Sequence, residues 1–351
     1  MITSGKIVIL CCLFLVTNIG CTNIPCNPPD YYAPEFDAPY AAEEIRVPTS
    51  KGHVLAGTLT LPSDSAPPYP AVVMITGSSP QNRDHMQSNK EPVCYYNPFR
   101  QIADAISRKG IAVLRMDDQG TGCSEGGPLE NVTIQERADD SRAGIEYLRS
   151  RKEIDKGRIG LLGLSEGGNI GPMIAASDPS IRAVVMMAGS ATNGFEIIEY
   201  QRRIKIYERS ESTNAEKERE LAKSMEGLNK ALSRGEGSRW FRSFLNYMPL
   251  PAAQKVSCPV LILHGDKDAH VPVDHAHLLA KAMRLSENND VTVKIFINHN
   301  HLFLEDPDGR ISGYSTMLWH TNRLSENVLK TITEWLSKYL THMSRLFVNR
   351  Q

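Results

Sequence analysis

The sequence predicts an α/β protein: a mostly parallel sheet with helices on both faces and a helical insertion late in the chain. Three observations predict it. From residue 43 onward, short runs rich in Val, Ile and Leu alternate with longer segments of helical periodicity. After the first two, which alternate in polarity, Ala71–Thr76 is continuously apolar, as a strand covered on both faces is. One stretch, residues 194–255, lacks any strand signal and is charged and helix-prone.

Glu43–Val47 and His53–Leu61 alternate in polarity around Ser50-Lys51-Gly52 and read as a hairpin. Ala71–Thr76 is a buried strand. Pro98–Lys109 carries Phe99, Ile102 and Ile106 at helical spacing, with Gly110 as its stop. Ile111–Met116 is the next strand and Thr133–Arg151 the next helix. Arg158–Leu162, Ala183–Ala188, Pro259–His264 and Val291–Ile297 are four further strands, each bounded by Gly, Pro, Asn or Asp. Strands alternating with helices give the layered parallel arrangement. An amphipathic helix over Glu326–Ser344 closes the chain. Within the insertion, helices are expected over Ile198–Arg209, Asn214–Arg234 and Arg239–Tyr247. Lying between two core strands, this segment is expected to leave the carboxyl edge of the sheet as a cap. The core is then residues 43–193 and 256–351.

The chain has 351 residues, which at about 150 residues per domain gives between two and three domains, or one α/β domain with an insertion. Lys+Arg 39 against Asp+Glu 40 gives a net charge of -1, without the broad basic field that nucleic-acid binding needs. Hydrophobic content of 41% and charged content of 23% exclude a disordered chain and a multi-span membrane protein. Nothing in the sequence specifies an oligomeric state.

Residues 1–20 read as an export signal: Lys6 precedes the apolar run Ile7–Val16, too short for the roughly 20 residues of a spanning helix. Gly20-Cys21 follows, and a small residue before Cys at this distance resembles the lipidation site of bacterial lipoproteins, although Asn18 stands where such sites usually carry Leu. Cys21 is thus the expected lipid attachment point, and the chain is expected in the periplasm or cell envelope, held to a membrane by that anchor. Residues 21–42, with Pro25, Pro28, Pro29, Pro34 and Pro39, read as a tether. Cys26, Cys94, Cys123 and Cys258 could pair in an exported chain, but their spacings favour no connectivity over free buried thiols.

The chemistry is carried by Gly163-Leu164-Ser165-Glu166-Gly167, a G-x-S-x-G pentapeptide that follows a strand and precedes a helix of small residues. A Ser at that sharp turn is exposed to attack a carbonyl, and the free amide of Glu166 at the helix start suits a developing oxyanion. Pro172 inside the helix has no explanation at this level. The Ser needs an acid and then a base later in the chain. Asp266 and Asp268 both follow the strand ending at His264. His299 and His301 both follow the last strand.

At these loops the sequence resembles the α/β-hydrolase superfamily. His264-Gly265-Asp266-Lys267-Asp268-Ala269-His270-Val271-Pro272 is similar to its acid loop, and the match selects Asp268. Asn300-His301-Leu302-Phe303 is similar to its base loop, and selects His301. Gly77-Ser78-Ser79-Pro80-Gln81-Asn82-Arg83-Asp84 resembles a loop of EstD-type bacterial esterases, whose relatives include serine-aminopeptidase-like hydrolases. That likeness makes the Ser78 amide the second oxyanion donor, with Ser79 replacing the usual second Gly. Arg83 and Asp84 are expected to form an ion pair under this loop. Leu114–Ser124 is close to a turn of the same family, with Gln119 where Arg is usual.

The resemblance implies a serine hydrolase in which Ser165 attacks an ester, His301 moves the proton and Asp268 orients the ring, with no metal or organic cofactor. His270, His275 and His277 invite a zinc reading. Two-residue spacing on a helix splits the rings across faces and no companion ligand set is evident, so solvated or loop histidines are expected. Tyr200, Tyr207, Trp240 and Phe241 of the insertion are the candidates for lining a substrate pocket. The rival readings are a peptidase or amidase on the same fold, and a surface lipoprotein that binds a small ligand without hydrolysing it.

Overall fold

The structure is a computed structural model that describes residues 37–85, 96–313 and 323–341. The expected export signal, Cys21, most of the tether, Cys26 and Cys94 lie outside the described residues.

The described strands β1 (Tyr40–Pro48), β2 (Val54–Pro62), β3 (Tyr69–Ile75), β4 (Ala112–Met116), β5 (Ile154–Leu164), β6 (Ile181–Met187), β7 (Val260–Gly265) and β8 (Val291–Phe296) form one sheet in the order β1-β2-β4-β3-β5-β6-β7-β8. The hairpin β1–β2 is antiparallel and β2 runs antiparallel to β4; every later pairing is parallel. The hairpin turns at Gly52, whose φ of 87° requires a residue without a Cβ.

Helices α1 (Pro98–Ser107) and α9 (Glu326–Leu340) cover one face, and α2 (Ile134–Ser150), α3 (Glu166–Ala175) and α8 (Asp274–Leu285) the other. The continuous apolar runs are explained by this double cover. Along β3, Ala71, Val73 and Ile75 enter the core under α2 and α3, while Val72 and Met74 enter the core under α1 and α9. Helix α2 begins with a capping box, the Thr133 hydroxyl accepting from the Glu136 amide and the Glu136 carboxylate accepting from the Thr133 amide.

Between β6 and β7 the chain forms α4 (Gly194–Arg209), α5 (Asn214–Ser233), α6 (Arg239–Asn246) and α7 (Pro249–Ala253). Helices α4–α6 share a small apolar cluster built on Ile197, Ile198, Leu221, Trp240, Phe241 and Phe244, which Val271 of the loop after β7 joins. The Ile134 amide donates to Ser243 Oγ at 3.0 Å, and Arg239 pairs with Glu136, so α6 rests on the start of α2.

Cys123 is disulfide-bonded, with its partner outside the described residues, whereas Cys258 is a free thiol whose pKa burial pushes up to about 12. The strand order reverses between β3 and β5. Loops leaving these neighbouring strands at their carboxyl ends therefore open a crevice, the place where ligands bind in open α/β sheets.

Candidate active site

Ser165 stands at the junction of β5 and α3 with φ 59° and ψ −117°, a conformation that non-glycine residues rarely adopt. The packing of the turn enforces it. A Cβ on Gly163 would lie 2.0 Å from the Gly167 carbonyl oxygen, and one on Gly167 would lie 2.1 Å from that of Ile75. Both flanking positions must be glycine for the strand to pass so closely into the helix. The Ser165 amide donates to the Met187 carbonyl at 2.8 Å, which pins the turn to β6.

Two loops at the far side of the crevice bring Asp268 and His301 together. A Cβ on Gly265 would sit 2.1 Å from the His299 carbonyl oxygen, so the loops after β7 and β8 touch at backbone distance. His301 Nδ1 lies 2.7 Å from Asp268 Oδ2, and both side chains are buried. Asp268 Oδ1 accepts the amides of His270 and Val271 at 2.8 and 2.9 Å. His264 Nε2 approaches Asp268 Oδ2 at 3.0 Å and the Val271 carbonyl at 3.1 Å. Burial alone would raise the Asp268 pKa. The imidazoles of His301 and His264 outweigh it and hold the carboxyl well below the usual carboxylate range. An ionised Asp268 places a proton on His301 Nδ1 and leaves Nε2 as a base. His299, the other candidate, turns its Nδ1 to the Ile297 carbonyl at 2.7 Å and pairs by backbone with Glu305.

On the near side, a Cβ on Gly77 would lie 3.5 Å from Ser165 Cβ, so the loop after β3 runs against the turn. Among the described residues, neither the Ser78 nor the Glu166 amide donates to a protein acceptor. Their carriers are braced from below. The Gly77 amide donates to Gln81 Oε1 at 2.9 Å, and the Gln81 amide to Asp118 Oδ2 at 3.0 Å. Arg137 joins Asp118 at 3.3 Å to Glu166 Oε1 at 2.6 Å, and Trp240 Nε1 donates to Glu166 Oε2 at 3.0 Å. Burial pushes the Asp118 pKa up to about 6 despite Arg137 beside it. One buried ionic network thus ties the loops after β3, β4 and β5 to α6. Arg83 and Asp84 do not pair with each other as expected: Arg83 grips Asp117 at 2.8 Å and Asp84 pairs with Arg115. Their side chains diverge, Asp84 toward Arg115 on β4 and Arg83 toward Asp117 just after it. Gln119 lies against the Gly126–Gly127 backbone.

A small pocket opens onto this constellation, lined by Ser78, Ser165, Glu166 and His301 from the core loops. Ile197 and Gln201 of α4, Phe244 of α6, His270 and Val271 line it as well. None of the four expected aromatics does. The Tyr200 hydroxyl donates to the Asp268 carbonyl at 2.9 Å, and the Tyr207 hydroxyl to Glu218 of α5 at 2.6 Å. Trp240 docks on Glu166, and Phe241 is buried within the α4–α6 cluster. The spacing of α6 reveals an apolar face, but periodicity does not say which edge of it meets the pocket.

The histidine cluster departs from expectation at one position. His270 lies in a loop, though buried, and His277 is exposed, whereas His275 is buried on α8. Burial, with His301 close by, holds the His270 pKa down to about 3. Asp268, His270 and His301 offer ligand atoms within 4.8 Å of one another. The His270 and His301 rings stack, however, with centroids 4.9 Å apart and planes at 28°. Stacked rings keep their lone pairs in separate, nearly parallel planes, which disfavours convergence on one ion. The set therefore reads as a hydrogen-bonded dyad with a packed neighbour.

Comparison with known proteins agrees with the fold. The chain is 26% identical over 317 residues to esterase EstD of Thermotoga maritima, covering 88% of this chain and 71% of the relative. It is 28% identical over 152 residues to esterase FrsA of Yersinia pestis, covering 42% of this chain and 32% of that one. Among solved structures, an esterase of Pyrococcus furiosus superposes with a TM-score of 0.58 at 14% identity, over 92% of this chain and 100% of that chain. The α/β hydrolase GrgF of Penicillium superposes with a TM-score of 0.58 at 18% identity, over 86% and 99%. The family model described as Serine aminopeptidase, S33 (Hydrolase_4) matches residues 94–308, and the chain belongs to this family of α/β hydrolases.

Proposed function

We propose that the chain is an exported serine esterase that hydrolyses small carboxylic esters through an acyl-enzyme. The observation that carries this reading is the meeting, around one pocket, of Ser165, the His301–Asp268 pair and two amides that donate to no protein acceptor among the described residues. Ser165 Oγ attacks the ester carbonyl while His301 Nε2 takes its proton. The Ser78 and Glu166 amides receive the developing oxyanion. His301 returns the proton to the departing alcohol, then takes one from the water that attacks the acyl-enzyme and passes it to Ser165 Oγ as the acid departs. Asp268 stays ionised throughout and fixes the ring. An aminopeptidase would need an anion for the substrate ammonium. Glu166, the carboxylate among the described lining residues, is already held by Arg137 and Trp240, which favours esters over free amino termini.

Export and a lipid anchor at Cys21 remain part of the proposal. The disulfide at Cys123 supports it, because such bonds persist in oxidising compartments.

The test is parallel hydrolysis of p-nitrophenyl esters and amino-acid anilides by the full chain, with fluorophosphonate labelling. Ester turnover should exceed anilide turnover, and Ser165→Ala should abolish both turnover and label. His301→Ala should lower kcat by about 10⁴ while His299→Ala changes little. Loss of activity in His299→Ala with retention in His301→Ala would overturn the assignment.

A further inference from the structure

Gln201 lies one helical turn after Ile197 on α4, and both side chains line the pocket. The residue is only 5% exposed. Its Nε2 donates to the His270 carbonyl at 3.1 Å, which decides which way the amide faces. Turned over, Oε1 would meet that carbonyl oxygen, two acceptors in contact in a dry site. So held, Oε1 is buried without a partner among the described residues.

A buried acceptor left unpaired is costly, so one carried by a pocket-lining side chain is suited to take a donor from a bound ligand. Among the described residues, none of the pocket lining hydrogen-bonds to it. Ile197, Phe244 and Val271 are apolar, and Asn169 and Ser190 satisfy each other at 2.8 and 2.9 Å. Ser78 Oγ is likewise buried and unpartnered, but a hydroxyl rotates to donate or accept, whereas Gln201 Oε1 can only accept. We propose that Gln201 Oε1 accepts a hydrogen bond from a hydroxyl of the substrate, so that the preferred esters are hydroxylated close to the scissile carbonyl, on the acyl or the alcohol side. A neutral hydroxyl fits better than an ammonium, since the Glu166 charge is already compensated. The inference rests on the ester-hydrolase reading above.

Two isosteric pairs test it with the full chain. p-Nitrophenyl 3-hydroxybutyrate against p-nitrophenyl 3-methylbutyrate reports on the acyl side; 2-hydroxyethyl butyrate against propyl butyrate reports on the alcohol side. The wild type should favour the hydroxylated member of at least one pair by about tenfold or more in kcat/KM. Gln201→Met, which keeps the length but not the acceptor, should bring that ratio close to one. Were Gln201 merely a prop for the His270 loop, both members would fall together and the ratio would hold, which would overturn the proposal. Equal turnover of both members of both pairs by the wild type would overturn it as well, while leaving the esterase reading intact. Failure of the wild type to hydrolyse any of the four esters would instead overturn that reading and the inference with it. The wild-type ratios need no variant, so the test stands even if Gln201→Met folds poorly.

Discussion

Replacing Asp268 by Asn changes one atom and, on the geometry above, should disable the site through the tautomer of His301. The carboxylate has four donors around it. The His270 and Val271 amides point at Oδ1, and His301 Nδ1 and His264 Nε2 lie at Oδ2. The backbone donors cannot change their chemistry, so the Asn oxygen must face them and its NH₂ must face the imidazoles. His301 then has to present a bare Nδ1, which moves its proton to Nε2, the atom that should receive the Ser165 proton. Turning the amide over would instead aim NH₂ at two backbone N–H groups in a buried site. A wrong tautomer in a Ser-His-Asp arrangement costs about 10⁴ in kcat, or about 5.4 kcal/mol at 1.36 kcal/mol per decade. The assay is ester hydrolysis with the active-site concentration set by fluorophosphonate titration, alongside thermal unfolding. A well-folded Asp268→Asn enzyme within tenfold of wild-type kcat would refute the tautomer argument and leave Asp268 a structural residue.

Phe244 reaches the pocket and Tyr207 does not. Phe244→Leu should therefore change the relative kcat/KM of short and long acyl esters, while Tyr207→Phe leaves that ratio alone and shifts stability by no more than about 0.5 kcal/mol. Burial, with the charges of His301 and Arg137, holds the His85 pKa down to about 3. Between about pH 6.5 and that value the unfolded chain carries a proton the folded one lacks, so this residue makes stability fall as pH falls. His85→Asn should shrink the loss between pH 6.5 and 5 by about 2 kcal/mol in urea unfolding; an unchanged slope would mean that the imidazole is not held neutral. Cys21→Ser should remove lipid label and membrane association, and a wild type that takes up no label would rule out the anchor.

The succession of strands and helices along the chain, the turn at Ser165 and the place of the helical insertion were legible in the sequence, because each depends on residues a few positions apart. Short apolar runs bounded by turn residues fit strands covered on both faces, and Gly163 and Gly167 bracket Ser165 because a Cβ there would strike backbone. The resemblance separated Asp268 from Asp266 and His301 from His299, and the tertiary structure placed the selected pair within hydrogen-bond distance. Only the fold decided which side chains meet across distant segments. Arg83 and Asp84 are adjacent yet take partners on and after β4, and His270 is buried because α4 and the loop after β8 close over it. Periodicity marks the apolar face of α6 but not the rotation at which it packs, so Trp240 went to Glu166 and Phe244 to the pocket. Gln201 reads as an ordinary polar residue of a charged helix, and its free acceptor exists only because the His270 carbonyl, from another loop, takes the other end of its amide.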